Sequence, residues 1–224
     1  MELNDRSLPV LSPEEVRVLA CLVEKELTTP DNYPLTLNAL LAACNQKTSR
    51  DPVVEFGASM VEQCLQSLKE RGFVRSVSGA EHRVPKFKHD LPFMLRLNPA
   101  QTAVLTVLML RGPQTVGEIR GRSDRMYSFN SLDEVAEALN DLGDLNGRRL
   151  VTELERLPGT KEPRFAHLLS GESAVAMSAA SALGRGSGAN RAEELDLLRE
   201  EVEHLREEIA ALRVELGEFR KQFE

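Results

Sequence analysis

Leu11-Ser12-Pro13-Glu14-Glu15-Val16-Arg17-Val18-Leu19-Ala20-Cys21-Leu22 returns later in the chain as Leu97-Asn98-Pro99-Ala100-Gln101-Thr102-Ala103-Val104-Leu105-Thr106-Val107-Leu108. Both copies read as the opening of a helix. Ser12 or Asn98 is the N-cap, whose side-chain oxygen accepts an otherwise unpaired backbone N–H. Pro13 or Pro99 takes the first helical position, where a missing N–H costs nothing. Glu15 completes a capping box in the first copy.

The repetition continues outward from these openings. Leu35 to Leu41 and Thr115 to Arg120 each read as a second helix. A third helix follows over Gly57 to Arg71, with Val61, Leu65 and Leu68 on one face, and over Ser131 to Leu142, with Val135, Leu139 and Leu142. Extended segments come next at Phe73 to Val77 and Leu150 to Leu154. Returning segments close each copy as Pro85-Lys86-Phe87-Lys88-His89 and Pro163-Arg164-Phe165-Ala166-His167. A repeat of about 80 residues is a duplicated domain rather than a solenoid. Three helices and a hairpin make the winged variant of the helix-turn-helix. The expected fold is therefore mainly α with small β-wings: one winged helix over 1–92 and a second over 93–170.

Beyond them, residues 171–192 are rich in Ala, Ser and Gly and read as a flexible linker. From 193 to 224 the apolar residues Leu195, Leu198, Val202, Leu205, Ile209, Leu212, Leu216, Phe219 and Phe223 alternate steps of three and four. That is a heptad repeat. Arg199, Arg206, Arg213 and Arg220 follow Glu194, Glu201, Glu208 and Glu215 at the flanking positions. Glu faces Arg across a parallel pair of chains, whereas like charges would meet in an antiparallel one. The tail is expected to form a parallel coiled-coil homodimer; a single helix folded back on its own domain is the competing arrangement.

The Leu-x-Pro opening, Cys44-Asn45-Gln46-Lys47-Thr48-Ser49-Arg50-Asp51-Pro52 and Arg120-Gly121-Arg122-Ser123-Asp124-Arg125-Met126 resemble the YceH family of bacterial proteins. The resemblance runs over residues 8–170. It implies tandem winged helices and no particular activity.

The net charge of −7 divides unevenly, with −2 over residues 1–92, zero over 93–170 and −5 over 171–224. The globular part is close to neutral, which permits nucleic-acid binding without recommending it. No apolar run reaches the length of a membrane span, and Met1-Glu2-Leu3-Asn4-Asp5 lacks the basic start of a secretory signal, so a cytoplasmic location is expected. Cys21, Cys44 and Cys64 are too widely spaced for a metal knuckle. Cys21 and Cys64 fall on apolar helix faces; Cys44, before a polar loop, leaves a reactive thiol open. His82, His89, His167 and His204 have no metal-ligand spacing, and there is no glycine-rich phosphate loop. No enzyme, metal or cofactor is expected.

The leading expectation is a regulatory dimer that binds double-stranded DNA. A winged helix sets its third helix in the major groove and its wing on the backbone. Gln63 and Gln66 on the first copy's third helix could address adenine edges. The second copy's third helix, with Asp133, Glu134, Glu137 and Asp141, is acidic. Lys47, Arg50, Arg83, Lys86, Lys88, Arg120, Arg122 and Arg125, in the loops before the third helices and in the first wing, are the phosphate candidates. An adaptor that captures a basic protein is the alternative.

Overall fold

The computed structural model describes residues 10–77, 84–156 and 162–172. Arg83, His82, residues 173–192 of the expected linker, and the whole heptad repeat with its dimerisation set from Leu195 to Phe219 lie outside the described residues.

The elements run α1 (Pro13–Thr28), β1 (Leu35–Thr36), α2 (Leu37–Cys44), α3 (Ala58–Glu70), β2 (Val74–Val77), β3 (Lys86–His89), α4 (Leu91–Leu95), α5 (Pro99–Arg111), α6 (Val116–Ser123), α7 (Leu132–Gly143), β4 (Val151–Leu154) and β5 (Arg164–His167). The chain is mainly helical with small antiparallel sheets, and the order of elements in each half is compatible with a winged helix.

The caps explain why the helices start where they do. Ser12 Oγ accepts from the Glu15 N–H at 3.2 Å while the Glu15 carboxylate accepts from the Ser12 N–H at 2.7 Å. Asn98 and Gln101 exchange the same two bonds at 2.8 and 3.0 Å. A third box, Thr115 with Glu118, opens α6. The latter two were legible as an acid or amide three residues after the cap.

The wings repeat in register. Val74 pairs with His89 on β2–β3, and Val151 pairs with His167 on β4–β5. Leu35 of β1 bridges Phe87, and Gln114 bridges Phe165 in the second copy. Phe87 and Phe165 both pack on the core.

The two openings meet at the centre of the molecule. Every residue from Glu15 to Val23 of α1 is buried, as is every residue from Gln101 to Leu110 of α5. A helix covered on all sides belongs in the middle of a protein rather than on its surface. Here α1 and α5 pack against each other, and one hydrophobic cluster runs from Leu11 and Leu22 through Leu68 and Leu105 to Leu142 and Leu169. The halves share a core. Gly112 ends α5 at φ 67°, ψ −154°, a conformation essentially restricted to glycine, and so turns the chain toward the Gln114 bridge.

Candidate nucleic-acid interface

The loop between α2 and α3 carries two of the expected phosphate contacts, and the structure separates them. Lys47 is exposed. The Arg50 side chain is completely buried, with Nη2 2.6 Å from Glu24 Oε2 and further bonds to the Ala43 carbonyl. Burial opposes its charge, but the Glu24 hydrogen bond and carboxylate outweigh it and hold the guanidinium above its ordinary range. Arg50 is thus a correction to the sequence reading: a basic residue in a polar loop, yet one that points inward because α1 offers an acid there. Glu24 experiences the complementary balance, with burial raising its pKa and Arg50 and Lys25 bringing it below the ordinary carboxylate value.

In the second copy the three arginines have different employment. Arg120 is exposed but donates to the Phe129 and Asn130 carbonyls at 3.3 and 3.2 Å, bracing the approach to α7. Arg122 lies 3.4 Å from Glu118 one turn earlier. Arg125 is exposed. On the first wing, Lys86 and Lys88 share the outer face of β3 while Phe87 and His89 face inward.

Sequence reasoning missed Lys25 and Arg111. Lys25 Nζ donates to Gln46 Oε1 at 3.3 Å, which sets it beside the Lys47 loop. The Asp51 N–H donates to the Leu110 carbonyl at 2.9 Å, which binds that loop to the end of α5. Arg111 follows directly. Burial, then repulsion from Arg122 and Arg50, pushes its guanidinium below the ordinary arginine range. Cations from both halves therefore gather along the seam of α1 and α5, a convergence with no signature in the local sequence.

On α3, Gln63 and Gln66 are both exposed, and Gln66 donates to Glu70 at 2.8 Å. Met60 stands 42% exposed among them. On α7 the exposed residues Asp133, Glu137, Asn140 and Asp141 are joined by Leu132. The cysteines are buried, Cys44 included. Its thiol is pushed far above the ordinary range by a hydrogen-bonding interaction with the free Cys21 thiol and by burial, opposite to what a reactive thiol requires. Among the described residues, no group of three or more His, Cys, Asp or Glu could hold a metal ion, and no helix is long and apolar enough to cross a membrane.

Residues 11–160 match the family described as "Protein of unknown function, DUF480". The chain belongs to this family. Relatives bear the corresponding name "UPF0502 protein". One from Citrifermentans bemidjiense is 49% identical over 180 residues, covering 80% of this chain and 83% of its own. One from Geotalea uraniireducens is 52% identical over 168 residues, covering 74% and 75%. One from Serratia proteamaculans is 46% identical over 166 residues, covering 72% and 78%. The match to a bacterial family over the globular part agrees with the resemblance drawn from the loop motifs.

Proposed function

We propose that the chain is a pair of tandem winged helices carried on a parallel coiled-coil homodimer, and that it binds double-stranded DNA as a non-enzymatic regulator. The observation that carries this reading is the gathering of Lys25, Lys47, Arg111 and Arg122 along one seam. Single near-neutral domains hold phosphates weakly. Cations pooled from two domains, and doubled by a dimer, raise the effective concentration of the second binding unit to roughly the millimolar range.

The test is fluorescence anisotropy of the full chain on random-sequence duplex over a salt series. Affinity should fall steeply with salt, because each phosphate contact releases counterions. Absence of retention at about 50 mM salt would sink the reading, since that is where such contacts are strongest.

A second reading has its own support. The α7 face of Leu132, Asp133, Glu137, Asn140 and Asp141 repels phosphate and offers acids around an apolar residue. An adaptor using that face would capture a basic protein and ignore DNA. Charge reversal at Asp133 and Glu137 would then abolish capture, whereas reversal at Arg122 and Lys47 would not.

A further inference from the structure

The second half of the chain carries charge of opposite sign on different elements. On α7, Asp133, Glu137 and Asp141 are exposed, and the helix contains no basic residue. Where α6 meets β5 the balance is reversed. Glu118 Oε1 lies 3.4 Å from Arg122 Nη2, and Glu118 Oε2 lies 3.7 Å from Arg164 Nη2. Oε2 also accepts from the Thr115 N–H at 2.9 Å, closing the capping box of α6. One carboxylate is thus shared by two guanidiniums and a backbone donor, which leaves the cluster positive. The three side chains are between 30% and 36% exposed, so solvent and a partner can reach them.

Arg111 adds to this cluster from the end of α5. At its guanidinium burial disfavours the charge, and repulsion from Arg122 and Arg50 exceeds the attraction of Glu24 and Asp51. Two backbone bonds between Gln114 and Phe165, at 3.0 and 2.8 Å, tie the turn after Arg111 to β5. The arginines therefore stand on one frame built from α5, α6 and the second wing. Arg164 lies outside the phosphate candidates read from the sequence; only the fold sets it across Glu118 from Arg122.

We propose that the second winged helix meets duplex DNA through its α6–β5 face, with Arg122 and Arg164 on the phosphate backbone, and that α7 does not enter the major groove. A winged helix ordinarily inserts its third helix there, but the acids of α7 would meet phosphates with like charge. A guanidinium has five donors, and one contact with Glu118 leaves most of them for a phosphate. The backbone suits such a face because its phosphates recur along a line and can meet separate arginines. The inference rests on the DNA reading above and adds to it the face that is used and a contact, Arg164.

The experiment is fluorescence anisotropy of the full chain on a labelled random-sequence duplex over a salt series. Arg164→Gln should lower the magnitude of the log–log salt slope by about 1, and Arg164→Lys should restore it. Glu118→Gln keeps an acceptor for the Thr115 cap and removes the shared negative charge. It should tighten binding, by roughly threefold or more at low salt. Lost packing would not strengthen binding, so this readout separates a phosphate contact from a structural role. Asp133→Asn with Glu137→Gln on α7 is the comparator and should change affinity less than Glu118→Gln does. Thermal unfolding confirms that each variant is folded. Wild-type retention with an unchanged slope in folded Arg164→Gln overturns this inference and leaves the DNA reading standing. So does tighter binding by the α7 pair than by Glu118→Gln. No retention of the wild type overturns both.

Discussion

The Arg50 guanidinium lies 2.6 Å from the Glu24 carboxylate at a point where the arginine side chain is fully buried and the acid is 12% exposed. The pair ties the α2–α3 loop to α1 and so fixes the loop that carries Lys47. Removing one member of a buried pair strands the other, at a cost of about 3–5 kcal/mol. Arg50→Met should lose about that much in urea unfolding, whereas Arg50→Met with Glu24→Leu should lose distinctly less. A single-variant loss below about 1 kcal/mol would show that the pair is not desolvated as drawn.

His167 gives the protein an acid sensitivity of known sign. Burial lowers its pKa from 6.5 to about 4. The unfolded chain therefore binds the extra proton first, and stability is complete above pH 6.5 and declines as pH falls toward 4. The decline attributable to this group is at most about 3 kcal/mol. Glu24, also held below its ordinary value, adds a loss that begins only in the carboxylate range. His167→Phe should reduce the slope of the urea-midpoint profile between pH 6.5 and 4 and leave the decline below that window. An unchanged profile would mean that the imidazole is solvated.

The duplicated openings should behave as duplicates. Ser12→Ala and Asn98→Ala each remove the side-chain acceptor of a capping box, leaving the bond from the cap's own N–H, and should each cost about 1 kcal/mol. Chemical denaturation of both variants measures it. A cost at one site and none at the other would contradict the equivalence of the two caps.

For the proposed DNA contact, Lys47→Gln and Arg122→Gln should each lower the magnitude of the log–log salt slope by about 1, with little effect on sequence preference. Arg50→Gln should leave the slope alone, because its charge is spent on Glu24. If Arg50 changed the slope and the other two did not, the assignment of contacts would be wrong.

For the proposed dimer, Leu205→Lys with Leu212→Lys places charges in the apolar repeat that two paired helices would cover. Sedimentation velocity should show a monomer, with the far-UV signal of the globular part retained. A dimer that persists would assign self-association to another surface.

Element boundaries were legible because their causes are local. A cap, a proline at the first turn and an apolar face of period 3.6 act within a few residues. Thus α3 was expected over Gly57 to Arg71 and is observed over Ala58–Glu70, and the four wing strands came out within a residue or so of expectation. The two missed capping boxes were legible by that same rule.

What needed the tertiary structure were the relations between residues far apart in the chain. That Arg50 is internal depends on Glu24 of α1 being there to receive it, since a buried guanidinium without an acid would be far too costly. That α1 and α5 are covered on every side reflects their packing on each other, so that one hydrophobic cluster runs through both halves. Arg111 joined the basic seam because the Asp51–Leu110 bond brings a loop of one half to the helix end of the other. Arg17 and His167, far apart in the sequence, line one cleft for the same reason. Local chemistry decided which segments became helices and strands; long-range packing decided which charges face water, because burial and pairing are properties of neighbours that only the folded chain supplies.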